Sequence, residues 1–439
     1  MQVEENRRRG GALLEDTKNM KQKQHRILCA LCALVLLVSM VFPAAAFAEQ
    51  PTDTAAAALT REDAAEMQQA DAAVTALTES DTYTGMDTAQ RQSAAQAQLQ
   101  TLVDEGLVQK GSIYTDEANG MVSFTYQCGV LGGILLTDPD EAELDTENTS
   151  TNALEMQLPP DLGAQMQMSR TALRHTAENQ VTAPFAKAAI YYAFDNTINS
   201  SRYPYYSYMK GFWTAMGLDT KINIHVTVAD LKKLNDYDVC ILSAHGSYYT
   251  YTSGRLWKRT RTEPIVLLTE ESTFGKDLRY GFDLLSHRII KVNGLYCVTA
   301  DFFRNAYKNG RLSNTIIYSE TCEFLGVDGS EDNAMADALL SGGARAVVGY
   351  VNNVYTVYSR SMLWDTINHL LMGQNIGQAL DHAKATYGED DLVWYHAQGG
   401  RRPHAAASYA VLYGNSQAAL SGVPAANRSM ANATTDLAA

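Results

Sequence analysis

Two different hydrophobic patterns follow each other along the chain. From residue 185 onward, short apolar runs alternate with stretches of helical periodicity. This alternation predicts a mostly parallel sheet covered by helices on both faces, an α/β fold. The predicted strands are 188–194, 222–228, 239–243, 292–299, 315–319, 344–351 and 408–413, and the predicted helices are 206–216, 229–234, 302–308, 333–340, 358–371 and 376–387.

The preceding part of the chain has another character. Residues 49–108 show helical spacing, and residues 110–137 read as short strands with a turn at Gly132-Gly133. Residues 49–170 hold 4 Lys plus Arg against 21 Asp plus Glu, so the net charge of −14 originates here. We therefore expect a smaller, acidic α+β segment ahead of the main domain, with a functional role of its own.

The N-terminus has the pattern of a secretory signal peptide. An apolar run at 27–42 follows several basic residues and precedes Ala46-Phe47-Ala48, so cleavage is predicted after Ala48. Translation that starts at Met20 would give a signal peptide of ordinary length. No second apolar run long enough to span a membrane follows. We therefore predict that the chain is secreted and extracellular, without membrane association after cleavage. The alternative is that the apolar run stays uncleaved as a membrane anchor.

The predicted organisation has five parts. These are the signal peptide at 1–48, the acidic N-terminal domain at 49–137, a linker at 138–184, the main domain at 185–415 and a flexible tail at 416–439. The mature chain keeps four cysteines. An exported protein could pair its cysteines in disulfides. Cys240 and Cys297 lie in apolar strand-like runs, however, and the simpler interpretation is that they are buried free thiols.

Two predicted strand ends carry reactive side chains. One apolar run ends in His245-Gly246, and a later run is followed by Glu320-Thr321-Cys322. If the two strands are neighbours, a thiol and an imidazole meet at one sheet edge, where the base can activate the nucleophile. The backbone N–H groups of Gly246 and Cys322 could form an oxyanion hole. Either motif alone is usually a core feature; their order and strand context together point to catalysis.

Residues 185–415 resemble the caspase-like cysteine peptidases, which include caspases, metacaspases, legumains, clostripain and gingipains. The resemblance rests on the runs ending in His245-Gly246 and Cys322, on 333–350, which is similar to the helix, glycine turn and strand of bacterial members, and on the closing strand 408–415. It implies a secreted endopeptidase with His245 and Cys322 as its catalytic dyad. The alternative is a catalytically silent scaffold that serves as an extracellular binding module.

The resemblance also suggests a preference for the P1 residue. In this family the residue two before the cysteine and the end of the first strand line the S1 pocket, and here these are Glu320 and Asp195. Two carboxylates would hold Arg or Lys through charge-assisted hydrogen bonds. Legumains also carry an acid there, yet they prefer Asn at P1. For this chain we therefore keep Asn as the less favoured alternative to Arg or Lys. Alternatively, Glu320 pairs with a local Arg and Asp195 caps a turn.

Cofactors and partners are few in this interpretation. Neither a CxxC pair nor an HExxH motif occurs in the mature region, so no metal ligands are predicted. Asp328, Glu331 and Asp332 lack the full spacing of an EF-hand loop, and helix capping by Asp332 is the simpler account. Calcium remains an open alternative, since some clostripain-like proteins use it. The basic run 255–261 reads as a charged loop, not as a nucleic-acid site. The expected partner is a peptide or protein substrate.

A second expectation concerns control of the activity. The acidic segment could act as an intramolecular pro-domain, removed by self-cleavage after Arg170 or Arg174 if P1 is basic.

Overall fold

The computed structural model describes residues 58–136, 184–194, 204–253, 259–397, 406–425 and 427–428. Several sequence predictions fall outside these residues: the signal peptide, most of the linker, the cleavage sites Arg170 and Arg174, most of the tail, and Asp195.

A six-stranded sheet forms the centre of the main domain. In chain order its strands are β4 (Ala186–Ala193), β5 (Leu218–Asn223), β6 (Val239–Ala244), β11 (Ile316–Ser319), β14 (Ala346–Val351) and β15 (Tyr409–Gly414). Their spatial order is β15-β14-β11-β6-β4-β5. All neighbours are parallel except β15, which pairs antiparallel with β14. The predicted α/β architecture, with a mostly parallel sheet flanked by helices, is confirmed.

A second, seven-stranded sheet joins the N-terminal segment to the main domain. Its strands are β1 (Tyr114–Asp116), β2 (Met121–Thr125), β3 (Leu131–Leu135), β7 (Gly246–Ser253), β8 (Arg259–Glu271), β9 (Ile289–Val292) and β10 (Leu295–Thr299), in the order β1-β2-β3-β9-β10-β8-β7. A short hairpin, β12 (Gly326–Val327) with β13 (Ser330–Glu331), stands apart. Strands from the predicted N-terminal domain therefore share one sheet with strands of the main domain.

Helices pack against both sheets, and those from residue 204 onward include the ones that cover the six-stranded sheet. In chain order they are α1 (Arg61–Thr78), α2 (Asp81–Thr84), α3 (Thr88–Asp104), α4 (Pro204–Ala215), α5 (Val228–Leu231), α6 (Phe274–Leu285), α7 (Ala300–Ala306), α8 (Ala334–Ser341), α9 (Thr356–Leu371), α10 (Ile376–Tyr387) and α11 (Asp391–Ala397). Two short 3-10 turns, Leu234–Asp236 and Lys308–Gly310, interrupt the connections.

Strand alternation divides the core into two layers. In β6, Val239 and Ile241 pack with α4, α9 and α10 on one face, whereas Cys240 and Leu242 face α7, α8 and the second sheet. Successive side chains of a strand point to opposite faces, so a run that is apolar at every position must be buried on both. This is why β4, β6, β11 and β14 were visible as continuous apolar runs.

A buried ion cluster fixes the N-terminal helices to the rest of the fold. Nζ of Lys291, on β9, lies 2.6 Å from Oδ2 of Asp71 on α1 and 2.9 Å from Oδ2 of Asp277 on α6. Gln68 and Tyr296 donate further hydrogen bonds to Asp277, at 2.8 Å each. The Lys291 side chain is 1% exposed. Charges buried this deeply require partners, so α1 is an integral part of the core.

Three local predictions were wrong. Gly132 and Gly133 form no turn but lie within β3, paired with β2. Glycine is needed at 132 because an added Cβ would come 2.5 Å from the ring of Phe124. The strand predicted at 222–228 lies earlier, as β5. The single strand predicted at 292–299 is a hairpin of β9 and β10 in the second sheet, turning at Asn293 and Gly294, whose φ angles are 48° and 76°.

Candidate active site

The parallel sheet changes its direction of growth at β4. The chain adds β5 on one side of β4 and then β6, β11 and β14 on the other. Ligand sites in open α/β sheets lie outside the carboxyl ends of the strands at such a reversal. A cleft with an empty volume of about 280 Å³, open mouth included, lies at these ends and is lined by Phe194, Tyr206, Ser243, Ala244, His245, Glu320, Cys322, Val354, Thr356 and Ser359.

His245 and Cys322 line this same cleft because their strands are neighbours. β6 and β11 are paired in parallel, with Ile316 opposite Val239 and Ser319 opposite Leu242. Continued beyond the strand ends, the same offset brings Cys322 level with His245. The two side chains therefore reach one edge of the sheet, as the sequence predicted for neighbouring strands.

Gly246 allows this close approach. An added Cβ at Gly246 would lie 2.1 Å from the carbonyl oxygen of Cys322 and 2.4 Å from Cγ2 of Thr321. No other residue type fits here without moving the backbone. The glycine after His245 thus fixes the separation of the two strand ends, and its oxyanion-hole role stays a prediction.

The thiol of Cys322 lies against the backbone that follows β14. The N–H of Val354 donates to Sγ at 3.4 Å, and the Val354 carbonyl lies 3.9 Å from Sγ. Cys322 is partly buried, and every cysteine among the described residues is a free thiol. Sγ therefore faces one backbone donor and one backbone acceptor of the same residue, and its role as nucleophile stays a prediction.

The imidazole of His245 packs against an aromatic ring from the neighbouring strand end. The ring centroids of His245 and Phe194 are 4.4 Å apart and the planes meet at 79°. The His245 carbonyl accepts a hydrogen bond from the N–H of Leu267 at 2.9 Å. Phe194 restricts the ring from one side, while the second sheet holds the backbone, so the histidine has a defined orientation at the cleft.

Glu320 forms a buried wall of the cleft. The hydroxyl of Tyr206 donates to Oε2 of Glu320 at 2.7 Å, and Ser359 donates to Oε1 at 3.5 Å. Burial raises the pKa of Glu320, while the positive charge of Arg360 and the hydrogen bonds from Tyr206, Ser243 and Ser359 oppose the rise. The carboxyl group is thus held by protein donors and is not freely hydrated.

Arg360 shares the environment of Glu320. It is 4% exposed, its Nε donates to the Tyr206 hydroxyl at 3.4 Å, and its guanidinium lies 5.6 Å from the centroid of that ring. A positive charge beside the candidate S1 acid agrees with the sequence alternative in which Glu320 has a local Arg as partner. Arg360 therefore offsets part of the negative field that Glu320 contributes to the cleft.

The acids after Cys322 are engaged by protein donors. Tyr413 donates to Glu331 at 2.6 Å and Tyr248 to Asp332 at 3.1 Å. Oδ1 of Asp332 accepts the N–H of Ala334, the first residue of α8, at 2.9 Å. The N-cap of α8 is Asn333, whose side chain makes no capping bond, so Asp332 contributes its bond to Ala334 from the position before the cap.

Tyr206, Ser359 and Arg360 were missed by sequence reasoning. Tyr206 lies in a run rich in Tyr, a pattern more typical of surface packing than of a ligand site, yet it is only 3% exposed. Of the three, only Arg360 could have been found from the sequence. It is a basic residue on the core-facing side of a predicted helix that is otherwise apolar there, which indicates a buried charge with a partner.

No protein-family model matches this chain, and no curated protein matches it with significance. The resemblance to caspase-like peptidases therefore rests on the strand-end motifs at His245-Gly246 and Cys322 and on the similarity of 333–350 and 408–415. Among the described residues, none of the helices is both long enough and apolar enough to cross a bilayer.

Proposed function

We propose that this chain is a secreted cysteine endopeptidase of the caspase-like kind, with His245 and Cys322 as its catalytic dyad. The observation that carries the proposal is the convergence of both side chains on one cleft at the carboxyl ends of neighbouring parallel strands. A lone histidine or cysteine at a strand end is common in proteins. A histidine and a cysteine that lie level on neighbouring strands, with a glycine at the contact between them, are a more specific indication of a catalytic site.

The reaction follows from the roles of these groups. The thiolate of Cys322 attacks the scissile carbonyl carbon, and the oxyanion is stabilised by the N–H groups of Gly246 and Cys322. His245 gives a proton to the leaving amine as the C–N bond breaks, which leaves a thioester on Cys322. His245 then takes a proton from water, which attacks the thioester and releases the acid product and the free thiol.

The proposed P1 preference is Arg or Lys, with Asn less favoured. Glu320 lies in the wall of the cleft beside Cys322 and supplies one carboxylate. Arg360 offsets part of its charge, so in this proposal Asp195 at the end of the first strand provides the second carboxylate for a basic side chain.

The proposal includes control by the N-terminal segment. Self-cleavage after Arg170 or Arg174 would cut the chain between β3 and β4. The buried contacts of Lys291 with Asp71 and Asp277 would hold residues 58–136 in place after the cut. We therefore revise the sequence-based idea of a released pro-domain: cleavage yields two chains that remain associated. Mass spectrometry of the purified chain should show a cut in the wild type and an intact Cys322→Ala variant.

The decisive experiment is peptide hydrolysis by matched cysteine variants. Cys322→Ala should abolish cleavage of a positional-scanning peptide library, whereas Cys128→Ala, another partly buried free thiol, should leave it unchanged. The library reports P1 choice in the same assay. Full activity in the folded Cys322→Ala variant would refute the dyad. An inactive wild type whose Cys322 shows no enhanced thiol reactivity would favour the silent scaffold.

A further inference from the structure

A cluster of three metal-ligand side chains lies between α9 and α10, outside the candidate active site. Asp365 and His369 are one helical turn apart on α9, and His382 faces them from α10. One donor atom from each lies within 4.8 Å of the other two. The spacing i, i+4 puts Asp365 and His369 on one face of α9. His382 on α10 lies opposite this face, so the donor atoms of all three side chains meet between the two helices.

The distances suit shared coordination. Nδ1 of His382 is 2.7 Å from Oδ2 of Asp365, within hydrogen-bond distance. Nε2 of His369 is 3.7 Å from Oδ1 of Asp365. That distance is too long for a hydrogen bond, but it is close to the roughly 3.4 Å that separates two ligands of a tetrahedral zinc ion with bonds of about 2.0–2.1 Å.

The surroundings of His369 give an independent indication. Nδ1 of His369 and Oε1 of Gln374 are both buried and lack a full hydrogen bond to any described residue. Gln374 follows the end of α9, and its N–H donates to the His369 carbonyl at 3.0 Å. A small adjustment would let Nδ1–H donate to this amide oxygen. Metal-bound histidines almost always donate their second N–H to such an acceptor, which leaves the other nitrogen free to bind.

We propose that Asp365, His369 and His382 form a binding site for a divalent transition-metal ion of the zinc type. Imidazole nitrogen and carboxylate oxygen are ligands that zinc prefers, and three protein ligands leave a fourth position for water. The His382 side chain is 46% exposed, which provides an entry path. The imidazole planes of His369 and His382 meet at 37° with centroids 3.7 Å apart, so His382 must turn to direct its lone pair at the ion. Its exposure permits this.

The bound ion would fix α9 against α10 and would take no part in bond cleavage. Asp365 lies six residues beyond Ser359 on α9, about 9 Å along the helix axis, and Ser359 contacts Glu320 in the cleft wall. The site is therefore structural, and it supports the helix that holds that wall.

The test uses chelator-treated protein in the Cys322→Ala background, so that the candidate dyad cannot bind the ion. Zinc titration by calorimetry should give one ion per chain and a higher Tm, and cobalt should give the visible bands of a tetrahedral site. His382→Gln, a change at a half-exposed side chain that should leave the fold intact, should weaken binding more than about 100-fold. Gln374→Leu should weaken it by the roughly 10- to 100-fold that loss of an outer partner costs.

The matched control is His225→Gln, which removes an exposed histidine from another part of the fold and should leave zinc affinity unchanged. Absence of zinc binding in the Cys322→Ala chain would overturn the proposal, and so would unchanged affinity in His382→Gln. Both readouts are binding measurements, so they are independent of whether the chain is a peptidase.

Discussion

Replacement of Gly246 by alanine tests the close contact on which the candidate site depends. Gly246 has no unusual backbone conformation, so the substitution acts by contact alone. The new Cβ would lie 2.1 Å from the carbonyl oxygen of Cys322, whereas real Cβ atoms essentially never come within 3.0 Å of a neighbour. The ends of β6 and β11 must therefore separate by about an ångström.

The structure sets the expected magnitude for both stability and activity. The clash involves backbone and a buried methyl group, which cannot rotate away, so overpacking should cost about 1–3 kcal/mol of unfolding free energy. The separation also displaces Cys322 relative to His245. A displacement near 1 Å costs catalysis roughly 100-fold, so kcat/KM for a peptide reporter should fall by at least that factor.

The assay pairs chemical denaturation with peptide hydrolysis. Gly211→Ala is the matched control, because Gly211 lies on α4 and an added Cβ would meet nothing within 4 Å apart from the backbone of its own helix. That variant should gain about 0.5–1 kcal/mol from helix propensity and keep its kcat/KM. Wild-type stability in Gly246→Ala would show that the two strand ends are not in contact. Reduced stability with unchanged kcat/KM would show that the contact does not position the reacting groups.

Three further predictions concern the rest of the fold. Lys291→Met leaves Asp71 and Asp277 buried without their cation and should lower the unfolding free energy by about 3–5 kcal/mol in denaturant titration; an effect below about 1 kcal/mol would contradict a buried ion cluster. Burial, aided by nearby carboxylates, raises the pKa of Glu323 from 4.5 to about 7, so its contribution to stability is greatest below about pH 4.5 and is lost as the pH rises through about 7. Glu323→Gln should therefore be more stable than the wild type at about pH 8, by up to roughly 3 kcal/mol, and equal stability of the two at that pH would refute this. A protease site inserted in 137–183 should allow cleavage into two fragments that co-elute in native gel filtration and separate only in denaturant. Separation of the fragments without denaturant would contradict the seven-stranded sheet that both fragments share.

The strands that carry the candidate dyad could be predicted because burial on both faces makes them apolar throughout. The strands of the second sheet could not. β7 is a run of Tyr and Thr, residues that suit both surface and core, and β8 begins with exposed charged residues that read as a loop. Packing against other strands, not local periodicity, decides their conformation.

The partners of Glu320 illustrate the same limit. The strand order placed Glu320 near the cleft, but Tyr206 reaches it across 114 positions of the chain, and Arg360 reaches Tyr206 across 154. Nothing local in the sequence links these residues. The pairing of His382 with Asp365 likewise depends on how α9 packs against α10, although the i, i+4 spacing of Asp365 and His369 was visible on a predicted helix.

The most direct test of the dyad is the rate at which iodoacetamide alkylates Cys322 in the native chain at about pH 6. An ordinary thiol with a pKa near 8.5 is almost wholly protonated there and reacts slowly. Burial raises the pKa of Cys128, so that residue should stay unmodified and serve as the internal reference. If His245 and Cys322 act together, intact mass and peptide mapping will show rapid labelling of Cys322 that His245→Ala slows by at least about tenfold. Equal rates in the wild type and His245→Ala would contradict the account.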